Sequence, residues 1–448
     1  MKKYPSTLKS KTKLYKALSL GMALVLSATS AHAANISKEQ IIADISYLAS
    51  DQLKGRASFS PEIDQAADYI SKRFKEIGLT PLKGQSSFKQ HFTITNIAPV
   101  SLSVTLNDKN IDPENLAMAS TMEKISWHKG APVDTHVIGA QDDMRGKIRA
   151  LNQQGGQHLV LLNSAHQDMF KRYQHYFQQG LNKLNLEHQG AIVMVLTDMD
   201  TIDSFKVEAI SQIEQRGLTN VVGTLPGKDK TDEMVLFSSH YDHLGTSKYG
   251  EDTIYNGADD DASGTAAVIN LAQYYASKGQ NSRTLVFSAF TAEEIGGFGS
   301  RYFSKQLDPE QVVAMINIEM IGKPSKFGQG TLWMTGKERS DLGDILNKNL
   351  KVHGKQIYTD PYPEQGLFYR SDNATLARLG VPAHSFSSTQ LDKDQHYHQV
   401  SDDLDSLNLD SMHQVIETLS IGTSSLVDGS MTPSRIDINK VEGHGKIY

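Results

Sequence analysis

The stretch EMVLFSSHYDHLG, residues 233–245, decides how the chain is read. Its first half is a short apolar run, which reads as a buried strand. Its second half packs His240, Asp242 and His243 into four positions. An exposed turn explains such a cluster only if the rest of the chain offers nothing to match it. Working outward, an alternation begins near residue 218. Strand-like NVVGTL and MVLFSS come first, and the helical pattern SGTAAVINLAQYYASKG follows, ending at Gly279. Then come TLVFSAF, a helical segment around GGFGSRYFSKQL, and VVAMINIEM. Strands alternating with helices predict an α/β fold, a mixed and mostly parallel sheet covered by helices on both faces. In such sheets, sites gather at the carboxyl ends of the strands.

Ionisable groups sit at those ends. His240 and Asp242 follow MVLFSS, and Asp259, Asp260 and Asp261 precede the helix in NGADDDASG. Glu293 and Glu294 follow TLVFSAFTA, Glu319 ends AMINI, and His398 lies downstream in HYHQVSDDLD. Taken singly, each is an ordinary solvated group or helix N-terminus. Five such segments at the strand ends of one sheet would repel one another by several kcal/mol at reduced dielectric. A cation resolves that repulsion, and two resolve it better.

The 448 residues predict two or three domains at roughly 150 residues each, and the net charge of −6 argues against nucleic acid as a partner. No cysteine is present, so disulfides and thiolate metal sites are excluded, and any metal must be held by His, Asp and Glu. Six lysines, the apolar core ALSLGMALVL and the AHA tripeptide ending at Ala33 read as a secretory signal, residues 1–33. The apolar core is too short for a membrane span, and an exported location, periplasmic or secreted, is expected. Two helices should follow. The first is capped by Ser37, with Gln40 completing a capping box; the second starts at Pro61 after Ser60 and ends at Gly78. From residue 96 to 214 the texture changes to short strands and an amphipathic polar stretch. This predicts an inserted smaller domain within a discontinuous main domain, 34–95 and 215–448.

The segments SSHYDHLG, NGADDDASG, TAEEIGGFGS, INIEMIG and HYHQVSDD occur in the order and near the spacing of the bacterial leucyl aminopeptidase family. That family of co-catalytic zinc peptidases also holds glutamate carboxypeptidases, glutaminyl cyclases and transferrin receptors. The resemblance covers roughly residues 36–95 and 215–425; the insert resembles a reduced protease-associated domain only loosely. It implies two zinc ions, one on His240 and Glu319, the other on Glu294 and His398, with Asp260 bridging. Asp242 would orient His240, Glu293 would be the general base acting on a metal-bridged water, and Tyr397 would donate to the oxyanion or simply pack beside His398. A cis peptide between Asp260 and Asp261 is implied as well. His243 and His396 read as packing or hydrogen-bonding groups.

The chain departs from the family at Glu319, where most members carry aspartate, and at Asn373 in YRSDN, where histidine is usual. The implied activity is an exported aminopeptidase acting on peptides. A two-zinc carboxypeptidase or dipeptidase is the nearest alternative, and a non-catalytic binding protein the remoter one.

Overall fold

The computed structural model describes residues 35–443 and 445–448, so the predicted secretory signal lies outside the described residues. Helix α1 (Lys38–Leu48) starts where Ser37 Oγ accepts the Gln40 N–H. The reciprocal half of the expected capping box does not form, because the Gln40 side chain turns inward to Asp44. Helix α2 (Pro61–Ile77) is capped by Ser60, carries proline in its first turn and stops at Gly78, whose φ of 88° suits a residue without Cβ.

Strand β1 (Lys89–Leu106) leads into the smaller lobe, which comprises β2 (Leu116–Ser120), β3 (Lys124–His128), β4 (Asp134–Ile138), α3 (Met144–Gln154), β5 (Gln157–Leu162), α4 (Gln167–Gln178) and β6 (Ala191–Leu196). The chain returns along β7 (Phe205–Leu225), which pairs antiparallel with β1 from Phe205↔Leu106 to Val221↔Lys89. Residues 96 and 214 fall inside these two long strands. The lobe's sheet runs β2-β6-β5-β4. One face packs Val160, Ile192 and Met194 onto Ile148, Phe170 and Phe177 of α3 and α4. The other packs Leu161 and Val193 onto Trp127 and Val207. Burial on both faces explains why HLVLLN and AIVMVLT are continuous apolar runs.

The main lobe continues with β8 (Lys230–His240), α5 (Gly264–Lys278), β9 (Arg283–Phe290), α6 (Phe298–Ser304), β10 (Val312–Ile318), β11 (Leu332–Met334), α7 (Leu342–Leu350), β12 (Ile357–Thr359), β13 (Ala383–Ser387) and α8 (Leu409–Gly422). The larger sheet runs β12-β11-β13-β10-β8-β9-β7-β1. Strands β9, β8, β10 and β13 are mutually parallel, while β7 and β11 join antiparallel. The fold is thus the expected α/β arrangement with a smaller second sheet. Helix α5 is buried along Ala266–Ala272, packed among α1, α2, α8 and the sheet. That explains a sequence apolar nearly all the way round. No helix of the described residues is long and apolar enough to cross a membrane.

Candidate metal centre

Four parallel strands deliver their carboxyl ends to one edge. His240 is the last residue of β8, level with Phe290 of β9, and Glu319 directly follows β10. Glu293 and Glu294 come three and four residues after β9. Asp260 sits in the turn Ala258–Ser263 that enters α5, and a cis peptide joins it to Asp261. His398 arrives from the loop after β13. Ala292, Met320 and His398 all have left-handed backbone, with φ of 58°, 51° and 57°. Such positions cost of order 1–3 kcal/mol each in residues other than glycine and cluster at functional sites.

The three aspartates divide their work. Asp259 Oδ1 accepts the Gly322 N–H at 2.7 Å, and Asp261 Oδ1 accepts the N–H groups of Gly264 and Met320, both at 3.0 Å. Those two are struts. The middle one, Asp260, faces both histidines: Oδ1 lies 3.2 Å from His240 Nε2 and Oδ2 lies 3.2 Å from His398 Nε2. Glu319 Oε1 is 3.8 Å from His240 Nε2, and Glu294 Oε2 is 3.3 Å from His398 Nε2. All five proposed ligands therefore meet, two on each side of a shared Asp260. His243 belongs to the same cluster: its Nδ1 is 2.7 Å from Glu294 Oε1 and 4.0 Å from Asp260 Oδ2.

His240 Nδ1 is held at 3.1 Å by the main-chain carbonyl of Asp242, whose carboxylate stands farther off, at 3.8 Å. That carboxylate instead accepts the N–H groups of Glu293 and Glu294 and the Ser58 hydroxyl. It thereby ties the general-base segment to the histidine strand. Glu293 lies beside the cluster without an ion pair to any histidine among the described residues. Tyr397 stacks on the His398 ring, centroids 4.0 Å apart, and its hydroxyl accepts from Arg370 Nη2 at 3.4 Å.

Electrostatics test whether cations fit. Burial disfavours charge on Asp260, yet the facing His240 and His398 outweigh it and hold the carboxyl well below the usual range. His398 is likewise opposed by burial, yet the carboxylates of Asp260 and Glu294 push it up to about 10. Burial pushes Glu293 well above the usual carboxylate range, reinforced by Glu319 and Asp372. The cluster thus demands positive charge. His240 Nε2 is buried with no hydrogen-bond partner and points at Asp260 and Glu319. His240, Asp260 and Glu319, and again His243, Asp260 and Glu294, present donor atoms within 4.8 Å of one another. A nitrogen-and-oxygen donor set of this kind fits zinc on both sides.

Sequence inspection missed several supports. Arg56 is fully buried, and its guanidinium donates to the carbonyls of Leu48, Tyr241, Asn256 and Gly257, pinning the segments on either side of His240 and Asp260. Asp402 accepts the N–H groups of Asp259 and Asp260. Ser371 donates to Glu319 Oε2. Ser371 and Asp402 lie in YRSDN and HYHQVSDD, and Arg56 in the N-terminal segment that shares the resemblance, but no motif says which distant groups they bond. Asn373, which replaces the family's usual histidine, is buried and donates to the Phe368 carbonyl, away from the cluster. A second group, Asp134, His136 and His158, lies on the smaller sheet. There His136 and His158 bond each other at 3.1 Å, and His158 Nε2 bonds the Gly155 carbonyl.

An α/β sheet with a two-sided histidine–carboxylate centre at its strand ends defines a metallohydrolase-type site. Residues 220–421 match the model of peptidase family M28. It is 36% identical over 146 residues to a probable zinc metalloprotease of Pyrenophora tritici-repentis, covering 31% of this chain and 33% of that protein. It is 29% identical over 213 residues to leucine aminopeptidase 1 of Chaetomium globosum, covering 44% and 50%. The chain thus spans half or less of the length of these curated relatives. In fold it is similar to an aminopeptidase from Aneurinibacillus sp. strain AM-1, with a TM-score of 0.55, 17% identity and coverage of 92% of this chain and 97% of that one. It is also similar to a zinc aminopeptidase from Bacillus subtilis, with a TM-score of 0.53, 14% identity and coverage of 91% and 99%.

Proposed function

We propose that the protein is an exported zinc aminopeptidase that releases N-terminal residues from peptides. His240, Asp260 and Glu319 would hold one zinc, and Asp260, Glu294 and His398 the other. The observation that carries this is Asp260, whose two oxygens face different histidine–carboxylate sets, with Glu293 beside both. When bound, the zinc pair supplies Lewis acidity and lowers the pKa of a water at the site. Glu293 would take a proton at its carboxylate and pass it to the leaving amine. Arg370 donates to the Tyr397 oxygen, so the phenol proton is left free to meet the oxygen of the scissile carbonyl.

A cavity of about 110 Å³ adjoins Glu319, walled by Met320, Trp333, Leu367 and Leu391, and suits the side chain of one terminal residue. The printed activity of leucine aminopeptidase 1 supports the same reading. Free-amino and N-blocked peptides, compared with chelation and zinc add-back, test it. Release of the first residue from free peptides only is expected; cleavage of blocked peptides from the C-terminal side would replace it with the carboxypeptidase. The lysine-rich start, ALSLGMALVL and AHA support export. Exported protein should begin at Ala34, and recovery of the uncut chain solely inside the cell would refute it.

A further inference from the structure

Two cavities flank the cluster and share Arg370 and Ser371. The smaller, beside Glu319, has room for one side chain. The larger, about 450 Å³, runs past Glu293 and Glu294 over Gly296 and Gly297. Its walls carry Arg301, Arg370 and Arg378, with Tyr176 of α4 and Tyr369. A peptide held across the cluster, with its first side chain in the smaller cavity, would meet this second space with the part that follows the scissile bond.

The arginines there make neutral contacts. Arg301 lies over the Phe298 ring at 5.2 Å and reaches the Gly296 carbonyl at 3.5 Å. Arg378 Nε donates to the Glu442 carbonyl at 2.7 Å. Arg370 reaches Gln365 Oε1 and the Tyr397 hydroxyl, both at 3.4 Å. None of the three forms an ion pair with a carboxylate among the described residues. Elsewhere, Arg73 meets Asp44 at 2.8 Å and Arg283 meets Glu233 at 2.6 Å, whereas buried Arg56 meets four main-chain carbonyls, which fill its donors. Burial lowers both Arg301 and Arg378, and the Arg301 charge adds to the effect on Arg378. Burial, with Arg301 nearby, also brings Lys183 down to about 8. Glu442 acts on Arg378 without forming an ion pair. Half-buried cations crowded together raise one another's energy, and an anion bound between them relieves it. Paired arginines favour a planar carboxylate.

We propose that this groove binds a carboxylate carried by the leaving part of the substrate, through Arg301 and Arg378. The carboxylate is either the C-terminus of a short peptide or an acidic side chain just beyond the scissile bond. The inference rests on the peptidase reading of the cluster and names its preferred substrates as short or acidic peptides.

The zinc-loaded protein would be assayed on Leu-Gly-Gly against Leu-Gly-Gly amide, and on Leu-Asp-Gly amide against Leu-Asn-Gly amide. The first pair reads the C-terminal carboxylate, the second the side chain. In at least one pair, the acid should be preferred in kcat/KM by about tenfold or more. Arg301→Gln with Arg378→Gln should bring that ratio close to one, chiefly through KM, while Arg301→Lys keeps part of it. Thermal unfolding checks that the variants are folded. Ratios near one in the wild type, or a preference untouched by the double substitution, would overturn the proposal. If no free-amino peptide is cleaved, the aminopeptidase reading falls on its own. Calorimetric binding of Leu-Gly-Gly and its amide to Glu293→Gln protein, with and without the arginine substitutions, then decides the groove. Loss of acid-selective binding with the arginines supports it, and equal binding of acid and amide refutes it.

Discussion

Glu294 turns both carboxylate oxygens toward histidines, Oε1 to His243 and Oε2 to His398, while its neighbour Glu293 makes no such pair. Consecutive residues in an irregular turn point differently, so in the proposed mechanism one would hold a cation and the other would face the reacting water. Glu293→Gln should therefore lower kcat by roughly 10²-fold or more, with zinc content unchanged. Glu294→Ala should lower zinc content first, measured by elemental analysis after dialysis. Reversed phenotypes would mean the two roles are exchanged. Glu319 is one methylene longer than the family's usual aspartate. Its Oε2 is taken by the Ser371 hydroxyl, and its Oε1 stands 3.8 Å from His240, farther than His398 Nε2 stands from Asp260 or Glu294. Stepwise chelation should accordingly empty the His240 side first, and Ser371→Ala should empty it sooner. Full activity at one equivalent of zinc, with Glu319→Ala indistinguishable from wild type, would rule out the two-metal arrangement.

Between elements, one buried carboxylate joins three helices. Asp44 of α1 accepts from Arg73 Nε at 2.8 Å and Tyr69 hydroxyl at 2.7 Å in α2, and from Asn270 Nδ2 at 2.8 Å in α5. Helix α5 begins at the aspartate turn, so this clamp also sets where Asp260 stands. Asp44→Ala leaves Arg73 buried without its partner and should destabilise by about 3–5 kcal/mol in urea unfolding. Replacing Asp44 and Arg73 together by apolar residues of similar volume should recover most of that loss. A single variant as stable as wild type would show that the clamp contributes little.

Across the whole molecule, stability should carry the mark of one buried imidazole. His384 in β13 bonds the Thr335 carbonyl and the Ser340 hydroxyl, and burial pushes its pKa down to about 4. The unfolded chain takes up that proton near pH 6.5, but the folded one does so only near 4. The contribution is therefore complete above about pH 6.5, falls as pH drops toward 4, and is flat below. It amounts to about 3 kcal/mol, to order of magnitude. Unfolding free energies measured from pH 7.5 to 4 should fall more steeply for wild type than for His384→Asn. Parallel curves would refute the assignment.

Periodicity alone determined much of this protein. Ser60, Pro61 and Gly78 bound α2 as read, and TLVFSAF and VVAMINIEM lie where β9 and β10 run, because caps and buried strands are local properties of the chain. The side chains that meet at the centre were legible too, since His240, Asp260, Glu294, Glu319 and His398 sit in motifs at strand ends. Only the tertiary structure decided how Gln40 is used, drawn to Asp44 rather than back to Ser37. It alone showed that Asp242 holds His240 through its carbonyl and the Glu293 segment through its carboxylate. What Arg56, Ser371 and the groove arginines bond was likewise invisible beforehand. Their partners are distant in sequence, and a hydrogen bond or an uncompensated charge exists only once packing has removed the water that would otherwise satisfy it.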